Sequence, residues 1–195
     1  MKKKVIWIDT ETTGLDYNIH GLREVGFIVE IDGIERERGL LCINTMTYRN
    51  EKYISKYVKE EMRVSEELLA KYENSQAQNV AFENILYKYI DARDYKDKFI
   101  VAGFNVDFDI GFIKDWFDDL KLSLNYKAIF GYQTLDVLAL VRHFKYLGIF
   151  ETENNKLETL CKYFEIEIDA HEALSDISAT KELHEVLVDK FIYKG

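Results

Sequence analysis

Hydrophobic and polar positions follow strand periodicity in the first quarter of the chain. Residues 5–8 are apolar and rich in β-branched and aromatic side chains, which is typical of a buried strand. Over residues 25–31 the odd positions are all apolar, which predicts a second strand with one strongly apolar face. Asp32-Gly33 follows at once. Because this dipeptide favours a tight hairpin, residues 34–43 are predicted to return as an antiparallel third strand.

Helical spacing replaces this alternation further along the chain. Residues 47–91 carry many charges and, towards their end, apolar side chains three and four positions apart, which predicts two helices. Residues 99–104 are predicted to form a buried strand. Further helices are predicted over residues 107–122, 135–147, 156–164 and 173–193. A meander followed by alternating helix and strand indicates an α/β fold in which helices flank a mixed sheet.

Length and charge narrow the class of protein. With 195 residues, 47% of them hydrophobic, the chain is predicted to be a single domain over residues 1–195 around one core. Its formal charge of -9 argues against a broadly basic surface for nucleic acid. A local groove is still compatible with that charge, since carboxylates that bind cations count in the sum as bare negative charge.

Cysteine content and the amino-terminal residues bear on the compartment. Cys42 and Cys161 are far apart and form no CxxC pair, so we expect two free, buried thiols in a reducing environment. The basic residues 2–4 precede only four apolar residues, too few for a signal peptide or a membrane span. We therefore expect a cytoplasmic protein with no membrane contact.

Two carboxylates stand at the end of the first predicted strand. Asp9 and Glu11 are two residues apart, so they point to the same face with their Cα atoms about 7 Å apart. Their repulsion would raise a pKa or destabilise the fold unless a cation or a cluster of donors neutralises them. The alternative is that both side chains extend into solvent at the strand end.

Two further polar clusters lie at helix starts. Asn105, Asp107 and Asp109 follow a predicted buried strand, and because the helix dipole favours acids there, capping alone could explain one of them, Asp107 being best placed. His171 and Asp176 are five residues apart, a rotation of about 140° on a helix. We therefore expect His171 on the loop before the last helix and Asp176 within that helix.

The three clusters offer hard oxygen ligands, which suit Mg²⁺ or Mn²⁺ better than zinc. Two such ions about 4 Å apart stabilise the attacking and leaving oxygens of a phosphoryl displacement, and a histidine can take the proton from the attacking water. Spacing alone is compatible with phosphodiester hydrolysis but does not establish it.

In their order along the chain, these motifs resemble the DEDD superfamily of 3′–5′ exonucleases, in its histidine-bearing, DnaQ-like branch. That branch includes the proofreading (epsilon) subunit of bacterial DNA polymerase III and ribonuclease T. The family's Asp-x-Glu-Thr-Thr-Gly motif matches residues 9–14, and its Asn-x-x-Phe-Asp motif matches residues 105–109, which selects Asp109 over Asp107. Its third motif, His-x-x-x-x-Asp, falls on residues 171–176.

Two positions refine the resemblance, which spans the chain from residue 5 to about residue 190. Glu172 stands where the sibling branch has tyrosine, which favours the histidine branch. Phe104 departs from the histidine that many relatives carry before the asparagine, and we expect this to affect packing or substrate contact more than chemistry.

The resemblance implies a fold and a set of residue roles. The fold would be ribonuclease-H-like, a mixed central sheet with three antiparallel strands first and helices on both faces. The implied metal ligands, for two Mg²⁺ or Mn²⁺ ions, are Asp9, Glu11, Asp109 and Asp176. His171 would be the general base and complete the catalytic set. The implied substrate-binding residues are Thr12, Gly14, Leu15, Asn105 and Phe108, although Phe108 fits equally well as a core aromatic.

The activity implied by the resemblance is metal-dependent 3′–5′ hydrolysis of single-stranded nucleic acid, with release of nucleoside 5′-monophosphates. DNA is favoured over RNA, and an RNA-trimming exoribonuclease is the alternative. A non-catalytic nucleic-acid-binding module and a hydrolase of mononucleotides or small phosphate esters are also compatible with the motifs. The chain ends about twenty residues after Asp176, with no evident docking tail. A free-standing enzyme is therefore favoured, and a polymerase partner stays open.

Overall fold

The strands form one mixed sheet. The computed structural model describes residues 3–48, 52–91, 93–120, 126–169 and 172–193, without the side chains of residues 119 and 120. The strands are β1 (Lys4–Thr12), β2 (Leu22–Ile31), β3 (Ile34–Asn44), β4 (Glu73–Asn74), β5 (Phe99–Gly103) and β6 (Phe130–Asp136). Their order across the sheet is β4-β3-β2-β1-β5-β6. β1, β2 and β3 pair antiparallel, whereas β5 is parallel to β1, β6 to β5 and β4 to β3.

β2 and β3 are joined by the hairpin that the sequence predicts. Asp32 and Gly33 have positive φ angles of 54° and 78°, which is the conformation of a tight two-residue hairpin turn. Ile31 and Ile34 then pair across the two strands. The predicted three-stranded meander is confirmed.

Helices cover both faces of this sheet. They are α1 (Lys56–Glu60), α2 (Glu66–Leu69), α3 (Ser75–Leu86), α4 (Asp107–Leu120), α5 (Tyr126–Ile129), α6 (Val137–Tyr146), α7 (Leu157–Phe164) and α8 (Ala173–Val188). Ser55, Ser65 and Asn74 begin α1, α2 and α3 by accepting hydrogen bonds from backbone N–H groups of the first turn. No helix among the described residues is both long enough and apolar enough to cross a membrane.

The sequence predicts most of these elements but not all. Residues 47–91 contain three helices and the short strand β4, where two helices are predicted. β6 is not predicted, because it lies at the sheet edge with residues 132–134 exposed and shows no apolar alternation. The last two residues of the helix predicted over 107–122 lie outside the described residues. Both thiols are free, and Cys161 is buried as expected, whereas Cys42 is only partly buried.

β1 contributes side chains to two hydrophobic layers. Ile6 and Ile8 pack into the layer that includes α3 and α4, whereas Val5 and Trp7 pack into the layer formed with α6, α7 and α8. β1 is covered on both faces and pairs with β2 along its length, and residues 5–7 also pair with β5, so this strand is firmly held in the sheet. The polar residues of the first motif begin at its carboxyl end.

Candidate active site

Three carboxylates meet at the carboxyl end of β1. Asp9, Glu11 and Asp176 each offer one oxygen, and these three oxygens lie within 4.8 Å of one another. Because side chains alternate along a strand, Asp9 and Glu11 continue the face of Val5 and Trp7, against which α8 packs. Asp176 projects from the first turn of α8. The structure thus brings together the acids of the first and third motifs.

The close approach of α8 depends on Gly26 of β2. Gly26 is the cross-strand partner of Asp9. A Cβ atom at Gly26 would lie 2.4 Å from the carbonyl carbon and oxygen of Ala173, the first residue of α8, and real Cβ contacts essentially never fall below 3.0 Å. The missing side chain therefore lets α8 begin directly on the strand beside β1, within reach of Asp9. No motif in the sequence marks this role.

The cluster has an excess of negative charge. Burial raises the pKa of Asp9 well above its usual value, and the charges of Asp109, Asp176 and Glu11 raise it further. A cation bound beside Asp9 would offset this charge and favour the ionised form of its carboxyl group. Three carboxylates at this spacing, with no sulfur ligand, fit a divalent ion such as Mg²⁺ or Mn²⁺.

Arg23 supplies part of the positive charge. Its buried guanidinium donates from Nη2 to Oε2 of Glu11 at 3.0 Å and from Nη1 to Oε1 of Glu24 at 2.6 Å. Glu11 pairs with Glu24 but Thr12 pairs with Leu22, so Arg23 is the extra residue of a β-bulge. A bulge redirects a side chain, and this one brings Arg23 to the carboxylates on its own sheet face. Arg23 is not predicted from the sequence, because the bulge leaves no pattern along the chain.

Asp109 approaches β1 from the other face and lies outside the group of three. Its Oδ1 accepts hydrogen bonds from the Thr10 backbone N–H at 2.9 Å and from the Thr10 hydroxyl at 2.7 Å. Burial raises the pKa of Asp109 to about 7, although the Thr10 hydrogen bonds favour its ionised form. Asp109 therefore fixes the first turn of α4 to β1. Its assignment as a metal ligand stays a prediction.

The loop before α4 is held by Asp136 at the end of β6. Asn105 has a left-handed φ of 60°, and its backbone N–H donates to Oδ1 of Asp136 at 2.9 Å. The same oxygen accepts a bond from the backbone N–H of Leu138 and so caps α6. Asp136 thereby fixes the turn that carries Asn105, whose role in substrate binding stays a prediction.

Four of the five predicted substrate-binding residues line one cavity of about 580 Å³ beside Glu11. They are Thr12, Gly14, Leu15 and Phe108; Asn105 does not line it. Leu15 is 86% exposed, so it presents an apolar side chain to any ligand that enters. The ring of Phe108 also packs on Phe112 at 5.0 Å between centroids, so it belongs both to the core and to the cavity wall.

The opposite wall of this cavity comes from α1 and from the second residue after its end. Tyr57 and Met62 line it, and neither matches a motif. The carbonyl of Thr13 accepts the backbone N–H of Ser55 at 2.7 Å, and the Thr13 hydroxyl donates to the carbonyl of Tyr53 at 2.7 Å. The motif turn and α1 are therefore joined directly, which no local pattern could reveal.

His20 also lines the cavity, although the sequence assigns it no role. Gly14 makes room for it, because a Cβ atom at Gly14 would lie 2.3 Å from the His20 ring. His171 lies outside the described residues, so its assignment as general base stays a prediction. The described chain continues from Glu172, directly before α8.

The fold is shared with solved structures of exonuclease I. A zinc-bound complex of E. coli exonuclease I with single-stranded DNA superposes with a TM-score of 0.73 at 16% identity, over 98% of this chain and 41% of that one. E. coli exonuclease I in complex with a dT13 oligonucleotide gives a TM-score of 0.69 at 17% identity, over 97% and 41% of the two chains. This chain therefore spans about two fifths of the length of those proteins. The likeness confirms the ribonuclease-H-like fold.

Family membership rests on the sequence itself. No curated protein sequence matches the chain significantly. The exonuclease family model RNase_T, however, matches residues 6–184, which include Asp9, Glu11, Asp109 and Asp176. This match covers most of the chain, and the fold brings three of these acids together. The chain belongs to the RNase_T family of exonucleases.

Proposed function

We propose that the chain is a metal-dependent 3′–5′ exonuclease that releases nucleoside 5′-monophosphates from single-stranded nucleic acid. The observation that carries the proposal is the meeting of Asp9, Glu11 and Asp176 beside a cavity large enough for one nucleotide. A cavity of this size next to the carboxylates suits removal of one terminal unit at a time.

The carboxylates would hold the metal ions. Asp9, Glu11 and Asp176 would hold two divalent ions, and Asp109 would join them directly or through a water. When bound, these ions supply Lewis-acid activation of water and stabilisation of the leaving oxygen. Arg23 fixes Oε2 of Glu11 and so orients this carboxylate.

The remaining residues act on the water and the substrate. His171 is proposed to take the proton from the attacking water. Leu15, Phe108 and Tyr57 would grip the terminal base by stacking and apolar contact. Such contacts are largely independent of base identity, which suits an enzyme that must remove every nucleotide in turn.

DNA is the favoured substrate, and two observations on other proteins support it. E. coli exonuclease I is found in complex with single-stranded DNA and with a dT13 oligonucleotide. RNA trimming is the second candidate. The motif around residues 171–176 favours the histidine-bearing, DnaQ-like branch. We further propose a cytoplasmic enzyme that acts alone or with a polymerase partner.

The test uses matched DNA and RNA strands labelled at the 5′ end. With Mg²⁺ or Mn²⁺, we expect a ladder that shortens from the 3′ end, with nucleoside 5′-monophosphates as products. EDTA should stop the reaction, and the Asp9→Asn protein, prepared identically, controls for contaminating nucleases. Activity that survives both EDTA and Asp9→Asn would contradict the proposal.

The competing functions give different results in the same experiment. A binding module would retain strands of any length without shortening them. A hydrolase of small phosphate esters would act on mononucleotides and leave oligonucleotides intact.

A further inference from the structure

A second cavity lies at the opposite end of β5 and β6 from the carboxylates. It has a volume of about 660 Å³ and is bounded by the first residues of both strands, by α5 and by the middle of α4. In the β1 and β5 register, Trp7 is level with Ala102, so Asp9 is level with Phe104. At about 3.3 Å per residue, Phe99 at the cavity wall is roughly 17 Å from that level. This cavity is separate from the proposed active site.

Positive charge is concentrated around this second cavity. Four lysines line it, namely Lys96, Lys98, Lys114 and Lys127, and no acidic side chain does so among the described residues. Within the described part of the chain, none of these lysines forms an ion pair, whereas Lys4, Lys52 and Lys181 all pair with carboxylates. Asp97, between two of the cavity lysines in sequence, is itself paired with Lys4. On a chain of net charge -9, four neighbouring lysines that form no ion pair with the described carboxylates favour an anionic ligand.

Aromatic rings form the rest of the wall. Tyr95 and Tyr132 stand at the rim, 75% and 93% exposed, above the buried ring of Phe130. A bulge in β6 exposes Tyr132. Between two successive cross-strand pairs, β5 advances by two residues, from Phe99 to Val101, whereas β6 advances by four, from residue 130 to residue 134. Exposed tyrosines beside lysines suit a flat aromatic group that carries phosphate.

We propose that this cavity binds a nucleotide, with its base against Tyr95 or Tyr132 and its phosphate at the lysines. This inference rests on the proposed function, which offers two sources for the nucleotide. One is the nucleoside monophosphate that the enzyme releases, and the other is a nucleotide within the bound strand. The exposed acids Asp107 and Asp118 line the surface of α4 that adjoins Lys114, and they would repel the phosphates of a continuous strand. The free monophosphate is therefore the favoured source.

The test measures binding by calorimetry in EDTA, with thymidine 5′-monophosphate, thymidine and an oligothymidylate of about 15 nucleotides as probes. The variants are Lys114→Gln/Lys127→Gln and Tyr132→Ala. Arg36→Gln/Lys162→Gln is the control, because it removes the same charge from exposed positions elsewhere. All five side chains are exposed, so the fold should be retained, which circular dichroism checks.

We expect thymidine 5′-monophosphate to bind the wild-type and control proteins alike, tenfold or more weakly to the lysine variant, and more weakly to Tyr132→Ala. Thymidine lacks the phosphate, so it should bind the lysine variant and the control with similar affinity. If the lysine variant binds only the oligonucleotide less tightly, the bound strand is the source of the nucleotide. In that case the slope of log affinity against log salt should fall in magnitude by about 1.4, because two phosphate contacts are lost. Equal binding of both phosphate probes by the lysine variant and the control would overturn the inference.

Failure of this inference is distinguishable from failure of the proposed function. Binding is measured without divalent metal, so it does not depend on hydrolysis. An inactive protein that binds the monophosphate at Lys114 and Lys127 would contradict the proposed function alone. An active exonuclease whose lysine variant binds like the control would contradict the cavity assignment alone.

Discussion

Arg23 and Glu11 form an ion pair of 3.0 Å in which the two side chains are only 9% and 12% exposed. The pair joins the β-bulge of β2 to the carboxylate cluster. Because the guanidinium of Arg23 is shielded from solvent and is shared by Glu11 and Glu24, its removal takes one positive charge from both carboxylates and should be costly. Arg23 is therefore a positioning residue, since it acts through Glu11.

Replacement of Arg23 by methionine should lower kcat about 10- to 100-fold, the range typical of residues that orient metal ligands. KM should change little, because Arg23 does not line the cavity beside Glu11. Arg23→Lys should recover part of the loss, since it keeps the charge. Steady-state kinetics at saturating Mn²⁺ give the answer, with Arg38→Met, which breaks an exposed pair with Glu35, as the control. An unchanged kcat in Arg23→Met would refute the role.

Gly26→Ala should both destabilise the protein and reduce its activity. The added Cβ would overlap the backbone of Ala173, so α8 must move away from β2 and carry Asp176 with it. Over-packing of this kind costs about 1–3 kcal/mol. Gly39→Ala is the matched control, because its Cβ would meet only the ring of Phe27. Comparable loss of thermal stability in both variants, with activity lost only in Gly26→Ala, is the expected result.

Stability without metal should fall as pH rises. The pKa of Asp109 is raised from its usual 3.8 to about 7, so the folded state holds this proton more tightly than the unfolded chain does. The free energy of unfolding should therefore decline between about pH 4 and 7, by up to about 4 kcal/mol at ~1.4 kcal/mol per pKa unit. Asp9, whose pKa is also raised, acts in the same direction.

Asp109→Asn should flatten this decline, because the amide oxygen can still accept both Thr10 hydrogen bonds and cannot ionise. In EDTA at pH 8 we expect this variant to be more stable than wild type. Urea unfolding at pH 5 and 8 measures the difference, with exposed Asp107→Asn as the control. Identical pH profiles for Asp109→Asn and wild type would show that Asp109 does not titrate in this range.

Divalent ions should stabilise the folded protein at pH 8. At a hundred times Kd the gain is about 2.7 kcal/mol. Asp176→Asn removes one of the three clustered carboxylates and should lose most of this gain, whereas exposed Asp118→Asn should keep it. Thermal unfolding with and without Mn²⁺ makes the comparison. A full Mn²⁺ effect in Asp176→Asn would argue against metal binding at this cluster.

Leu15→Ala should raise KM for single strands roughly tenfold, since contacts to a base are worth about 1–3 kcal/mol. Thermal stability should not change, because Leu15 is 86% exposed. Leu147→Ala, at a residue 55% exposed after the end of α6, is the control for loss of an exposed leucine. A KM that stays at the wild-type value would remove Leu15 from the substrate site.

The sequence predicts the direction of a side chain where that direction follows from the local periodicity of a strand or helix. An apolar run in β1, alternation in β2 and the Asp32-Gly33 turn predict the meander. The two-residue spacing of Asp9 and Glu11 places both side chains on one face. Local periodicity cannot predict that Asp176, more than 160 residues later in the chain, lies beside these two carboxylates. It followed from the resemblance to a known family.

The roles of Arg23 and Gly26 could not be predicted, because both depend on cross-strand register. A bulge redirects Arg23, and the first turn of α8 lies over Gly26, and neither event leaves a mark in the residues nearby. His20 and Tyr57 are similar cases, since loop packing alone brings them to the cavity.

The contact between Gly26 and the start of α8 also orders events during synthesis. The chain is made from its amino end, so β1 and β2 leave the ribosome long before Asp176 does. Until α8 has been translated and has packed over Gly26, Asp9 and Glu11 have no third carboxylate beside them. The cluster of three carboxylates is therefore completed late, only after the last helix of the described chain has been synthesised.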